Sequence, residues 1–298
     1  MEEKEGCCCS GIRFCGRCID SDRVQAIIGH KVALLKTSDV VSRQYGTERT
    51  SSCSFTCVGS SQYGLCWQCN TVFQIYDGAF KSCVDHEYAT PNLGICLEGI
   101  FVIPDFVSAL EEESFVRFLD EPSSFSGWKL SQSGRRKQNF GPRANFKKRK
   151  LNTSGLLGMP KQLESVMKKV QLVVRKLTMK DYHIAEVSAL EYTDAMKSSI
   201  DPHVDDTWLW GDRIGGLNLL EDTVMTFVNS NGVAVDVFLP CRAFFLLSNR
   251  SRYDWLHGIR WENIKNRRIS FTFRELSDNL DVDQEIIQNV MERTSVFV

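Results

Sequence analysis

The 298-residue chain carries 36 Lys and Arg against 37 Asp and Glu, a formal net charge of −1, which excludes a global basic field for nucleic acid. Its 43% hydrophobic and 24% charged content suits one large globular domain with appendages, and no run of about 18 apolar residues reads as a membrane span. Residues 1–6 are charged rather than apolar and do not read as a secretory signal, so the 12 cysteines are expected as reduced thiols or metal ligands, in cytoplasm or nucleus.

In chain order, residues 1–20 form a Cys-rich segment. Cys7, Cys9, Cys15 and Cys18, with Cys8 as an alternative, are spaced to wrap one zinc ion, and Gly11 and Gly16 permit tight turns. The same composition also suits a Cys-rich tail without metal. Residues 21–95 read as a variable insert or linker, with one apolar run at Val32–Leu35 and a polar stretch at Thr47–Ser52. Within it Cys53, Cys57, Cys66 and Cys69 have metal-like spacing. They could bind zinc themselves, or Cys66 and Cys69 could complete a site with Cys15 and Cys18. Loose thiols are the simpler reading in such an insert. Phe73–Tyr76 alternates as a strand.

The main domain is expected over 96–280. Gly99–Ile103 reads as a strand. Ser108 followed by Glu111 is a capping box, opening a helix with Leu110, Phe115, Val116 and Leu119 on or near one face. Residues 129–150 are basic, with Lys129, Arg135, Arg136, Lys137, Arg143, Lys147, Lys148, Arg149 and Lys150, and Phe140 and Phe146 interleaved. This is either a solvated basic loop or a contact for phosphates, bases or an acidic protein. Pro160 opens a second helix with Leu163, Val166, Met167, Val170, Val174 and Leu177 in a core-facing stripe. Strands follow at 184–192, 214–220, 224–228, 233–239, 243–248 and 268–274, with a hairpin loop at Ser230–Gly232. Two helices and then many short strands predict an α+β fold: a double-stranded β-helix, or jelly roll, with supporting helices. Residues 281–298 form a C-terminal amphipathic helix and tail.

The chain has only 5 histidines. His203 and Asp205, two apart on an extended segment, point to one face and could share a metal. With His257 they would make two imidazoles and a carboxylate, a donor set that leaves positions open on iron. Arg268 and Arg274 lie an even number of positions apart on one strand and so share a side, with Ile269, Phe271 and Phe273 opposite. Two arginines facing a barrel interior call for anions, and a dicarboxylate would satisfy both.

Taken together, His203-x-Asp205, His257 and Arg268-x5-Arg274 resemble the metal and co-substrate pattern of the AlkB family of iron(II)- and 2-oxoglutarate-dependent dioxygenases. The stretches Trp128–Gln138, Ile200–Gly211 and Phe271–Leu276, and the Cys and Gly-Ile-Arg elements of 7–18, are similar to one branch of that family. The likeness covers 7–18 and 97–280 and is weak over 19–95. It implies iron(II) held by His203, Asp205 and His257, with Arg274 meeting the metal-side carboxylate of 2-oxoglutarate and the second oxygen of Asp205. It also implies that Arg268, with Tyr192, meets the distal carboxylate. A family asparagine shortly before that tyrosine is absent, since residues 188–191 contain none.

The activity implied is oxidative N-demethylation. 2-Oxoglutarate becomes succinate and carbon dioxide, and the methyl group leaves as formaldehyde. For this branch the implied substrates are N-methyl-lysine on actin, with effects on actomyosin dynamics and cytokinesis, and/or N6-methyladenine in DNA. Trp208, Trp210, Tyr253 and Asp206 could wall a methylammonium, or serve as core aromatics and a surface acid. The rival expectation is a non-enzymatic adaptor that binds zinc and a nucleic acid or protein over an inactive barrel. No membrane partner is expected, and the sequence says nothing of oligomeric state.

Overall fold

The computed structural model describes residues 7–9, 13–26, 55, 58, 61–75, 78–121 and 127–298; Cys53, Cys57 and Tyr76 lie outside them. Tyr63–Cys66 (β1) and Thr71–Gln74 (β2) form an antiparallel hairpin. Its second strand therefore starts and ends two residues before the expected 73–76. Ile100–Ile103 (β3) follows Gly99, whose φ of +91° and whose approach to the Ser248 carbonyl leave no room for a Cβ.

Helix α1 spans Ala109–Asp120. Its capping box is formed: Glu111 N–H donates to Ser108 Oγ over 3.2 Å, and Ser108 N–H donates back to Glu111 Oε2 over 2.8 Å. Such a cap is worth about 1 kcal/mol. The buried face is Phe115, Phe118 and Leu119, whereas Leu110 is 78% exposed and does not join it.

The basic segment is not a simple loop. Lys129–Leu130 (β4), Arg136–Phe140 (β5), Arg143–Asn145 (β6) and Lys150–Asn152 (β7) are strands. In β5 the buried side chains are Gln138 and Phe140, two apart, which lets a charged strand present one face to the core. Gln138 donates to the Leu119 carbonyl over 2.7 Å. Helix α2, Glu164–Thr178, is preceded by a 3-10 turn at Lys161–Leu163 and buries Val166, Met167, Val170 and Val174.

The remaining elements are Glu186–Thr193 (β8), Ile200–His203 (β9), Trp210–Leu219 (β10), Thr223–Val228 (β11), Ala234–Leu239 (β12), Phe244–Leu247 (β13), Asn249–Tyr253 (α3), Leu256–Ile259 (β14), Arg267–Leu276 (β15) and Gln284–Thr294 (α4). They build two facing sheets of a jelly roll. The larger has seven strands in the order β3-β13-β10-β15-β8-β5-β4, and the smaller six in the order β2-β1-β12-β11-β14-β9. Strands β6 and β7 form a separate hairpin.

Two cores result. On the outer face of the larger sheet, Ile269, Phe271 and Phe273 pack against Phe115, Met167, Val170 and Val174 of the helices. Between the sheets, Leu65, Tyr192, Leu209, Trp210, Ile214, Phe227, Val235 and Ile259 form the barrel interior. Leu65 lies in β1, which runs parallel to β12 with Tyr63 opposite Val235. Residues 63–74 are thus part of the smaller sheet rather than a linker. Among the described residues no helix is long and apolar enough to cross a membrane.

Candidate metal centre

His203 ends β9 and His257 lies in β14, and the antiparallel register sets them directly opposite each other, with ring centroids 4.6 Å apart. Asp205, on the loop leaving β9, completes a cluster whose ligand atoms all lie within 4.8 Å of one another. His257 Nε2 is 3.5 Å from Asp205 Oδ2. His203 Nδ1 donates to the Asp201 carbonyl over 2.9 Å, which fixes the ring and leaves Nε2 for a metal. Burial, with His257 adding to it, lowers the His203 pKa to about 4, so the imidazole is neutral at pH 7. Burial works to protonate Asp205, but Arg274 and the two histidines outweigh it and hold the carboxyl well below its usual range. Two imidazoles and one carboxylate fit a ferrous centre with positions left open.

The two arginines of β15 both point into the barrel and have different surroundings. Arg274 Nη2 donates to Asp205 Oδ1 over 2.8 Å, and its Nη1 donates to Glu186 Oε2 over 2.8 Å. Glu186 sits opposite Arg274 in the β8–β15 register. Sequence reasoning missed it, because only the register brings it there. Arg268 is 1% exposed, lies 4.9 Å from the Tyr192 ring centroid, and donates through Nε to Asn218 Oδ1 over 2.6 Å. Its Nη1 is buried without a hydrogen-bond partner. An unmet buried donor costs about 1–3 kcal/mol, more on a charged group, so Arg268 fits an incoming carboxylate. Asn218 supplies an amide at this arginine from β10 rather than from the stretch before Tyr192.

A third arginine was not foreseen. Arg252, fully buried on α3, donates to the carbonyls of Asp205, Asp206, Trp210 and Gly211. It holds the loop that carries Asp205. Within that loop Asp206 Oδ1 accepts from Leu209 N–H over 3.0 Å, a turn-forming role, and Trp210 is core. Trp208 and Tyr253 differ: with Arg149, Thr207, Asp212 and Ser277 they line a cavity of about 450 Å³ beside the start of β10 and the end of β15. Tyr253 donates its hydroxyl to Asp212.

The N-terminal cysteines also converge. Cys7, Cys9, Cys15 and Cys18 lie within 4.8 Å of one another, with Cys15 Sγ 3.9 Å from Cys18 Sγ. Cys8 is exposed and stands apart from the set. The knuckle docks on the approach to β9: Gly16 N–H donates to the Met196 carbonyl over 2.7 Å and Ser133 N–H donates to Cys9 Sγ over 3.3 Å. Cys66 and Cys69 do not join it.

Comparison with known proteins gives consistent results. A DNA N6-methyl adenine demethylase of Caenorhabditis elegans is 30% identical over 287 residues, covering 96% of this chain and 91% of that protein. The alpha-ketoglutarate-dependent dioxygenase alkB homolog 4 of Mus musculus is 33% identical, covering 70% of this chain and 82% of the relative. The Homo sapiens protein of the same name is 36% identical, covering 60% and 67%. No family model matches the chain. The nematode alignment runs through 19–95, where the sequence alone suggested little likeness.

Proposed function

The chain belongs to the AlkB family of iron(II)- and 2-oxoglutarate-dependent dioxygenases, and on that premise we propose that it demethylates N6-methyladenine in DNA. In this reading His203, Asp205 and His257 hold the iron, Arg268 with Tyr192 receives the distal carboxylate of 2-oxoglutarate, and Arg274 lies beside its other acid end. Bound iron supplies the means to spend dioxygen and 2-oxoglutarate on hydroxylating an N-methyl carbon, which then leaves as formaldehyde.

The chain's own residues prepare that chemistry. Arg274 keeps Asp205 anionic and fixes one of its oxygens. Asp201 sets the His203 ring through its carbonyl. Asn218 aims Arg268. Ile214, Phe227 and Ile259 are at most 2% exposed, which keeps the barrel interior dry.

One observation carries the choice of substrate. The cavity that presents Trp208 and Tyr253 also receives Arg149 from the turn between β6 and β7. Aromatic faces suit a flat base, and Arg149, followed by exposed Lys150 and preceded by exposed Lys148, suits the adjoining phosphates. None of Lys148, Arg149 and Lys150 has an ion-pair partner among the described residues. The nematode relative's naming, over 96% of this chain, supports the same choice.

A second reading, N-methyl-lysine on a protein such as actin, draws on Asp212 and Asp278 in that cavity, which would attract a methylammonium. The test is mass spectrometry of an N6-methyladenine oligonucleotide and a methyl-lysine actin peptide, each with wild type and His203→Ala, alongside succinate release. Loss of methyl from the oligonucleotide by wild type alone is expected. Turnover of the peptide with none of the oligonucleotide overturns the DNA reading.

A further inference from the structure

The described residues hold a third cluster of metal-ligating groups, remote in sequence from the barrel site. Cys66 and Cys69 flank the turn of the β1–β2 hairpin, and Cys83 and His86 sit at the two ends of a 3-10 turn at Cys83–His86. All four ligand atoms lie within 4.8 Å of one another. Cys66 Sγ is 3.8 Å from Cys83 Sγ, and Cys69 Sγ is 3.5 Å from His86 Nε2. A tetrahedral ion with metal–sulfur bonds of about 2.3 Å and metal–nitrogen bonds of about 2.0–2.1 Å spaces its sulfurs about 3.8 Å apart and sulfur from nitrogen about 3.6 Å. Both separations are met. The sulfurs stand far beyond the roughly 2.0 Å of a disulfide, and all three cysteines are free.

The surroundings are built to hold these donors. The His86 ring stacks on Phe73 at 4.0 Å between centroids and 20° between planes, which aims Nε2 at Cys69. Phe80 meets the same ring edge-on at 5.4 Å. Cys83 N–H donates to Gln68 Oε1 over 2.9 Å, tying the 3-10 turn to the hairpin turn. Asp85 Oδ2 accepts from the N–H groups of Lys81 and Ser82 and shapes the approach to Cys83. The apolar content here is small: Cys66, Phe73 and Phe80 are buried, with Ile75 and Ala89 half-buried around them. Leu65 and Val72 anchor the hairpin in the barrel core, but three buried residues are few to hold the segment at 78–86 against it, and small units of this kind are usually held by a metal or disulfides.

We infer that Cys66, Cys69, Cys83 and His86 bind a structural zinc ion, which clamps the turn at 83–86 onto the β1–β2 hairpin at the edge of the smaller sheet. Three thiolates and an imidazole are a soft donor set that selects zinc, and four protein ligands leave no position for substrate. The C-x2-C half is legible in the sequence, whereas the C-x2-H half is joined to it only by the fold. The site depends on neither the iron centre nor the N-terminal cysteines.

The test is elemental analysis of the purified full chain, with X-ray absorption at the zinc edge. Cys83→Ser is expected to lower zinc content by about one equivalent relative to wild type while iron loading persists. His86→Cys is expected to keep the zinc and to replace a nitrogen neighbour with sulfur. In a chain with Cys7, Cys9, Cys15 and Cys18 all changed to Ser, the remaining zinc should show three sulfurs and one nitrogen. Hydrogen exchange should quicken in β1 and β2 once zinc is removed, with the β8–β15 ladder unaffected. Unchanged zinc content in both Cys83→Ser and Cys69→Ser would overturn the inference. So would a nitrogen neighbour that survives His86→Cys in the chain lacking the N-terminal cysteines, or a Cys66–Cys83 disulfide in the non-reduced protein.

Discussion

Two clusters in this protein gather metal-binding groups equally tightly and are built for opposite ends. His203, Asp205 and His257 meet where β9 faces β14, inside the barrel, and offer three donors. Cys66, Cys69, Cys83 and His86 meet at the rim of the smaller sheet and offer four. The first set is imidazole and carboxylate, with the Arg274 guanidinium bound to Asp205. The second is mainly thiolate and stacks its imidazole on Phe73. Donor number and softness, rather than proximity, separate a site that leaves room for reactants from one that closes around its ion.

The largest effect that separates the clusters is on turnover. Asp205→Ala should lower succinate formation by more than about a hundredfold, since even residues that merely orient metal ligands cost about 10–100-fold. Cys83→Ser should leave the rate within a few-fold and lower the melting temperature instead. Equal losses of turnover from the two variants would erase the distinction.

Next in size is Arg268→Met. Losing a hydrogen bond to a charged group costs about 1.5–3 kcal/mol, so the KM for 2-oxoglutarate should rise about 10–100-fold. Without 2-oxoglutarate the same variant relieves the unmet Nη1 donor but loses the Nε bond to Asn218, so its melting temperature should shift little. A clear drop in that melting temperature would mean that Arg268 serves packing rather than the co-substrate.

Acid distinguishes the clusters more gently. The folded protein holds His203 near a pKa of about 4, against 6.5 in an unfolded chain. Between those values the unfolded state binds a proton that the folded state refuses, so stability of the iron-free protein should fall as the pH drops from 6.5 to 4. Thermal melts of iron-free wild type and His203→Leu across that window test it. Identical slopes would show that His203 is not the group responsible. The smallest effect concerns the cavity rim: Arg149→Glu should weaken binding of methylated DNA several-fold and reduce its salt dependence by about one phosphate contact, with little change for a methyl-lysine peptide.

How much of this was readable before folding depends on range. His203 and Asp205 were legible because a two-residue period puts both on one face, and Arg268 and Arg274 for the same reason. The Ser108–Glu111 cap was legible because it is local. Glu186 was not, since its meeting with Arg274 is a consequence of the β8–β15 register. Asn218 was hidden because an amide reaches Arg268 from β10 rather than from the stretch before Tyr192. Residues 63–74 looked like a linker because their partner, β12, lies far along the chain. Leu110 was misread because a capping box fixes where a helix begins and does not decide which side of its first turn meets the core.

Arg252 has a further consequence. Its guanidinium is spent on main-chain carbonyls, so the course of the loop from Asp205 to Gly211 is held without regard to which side chains the loop carries. Thr207 and Trp208, which line the cavity, can therefore be exchanged while Asp205 keeps its place. If substrate is recognised at this cavity, as proposed, preference and oxidative chemistry are separately inheritable: a lineage can change the cavity's lining without rebuilding the loop that carries Asp205.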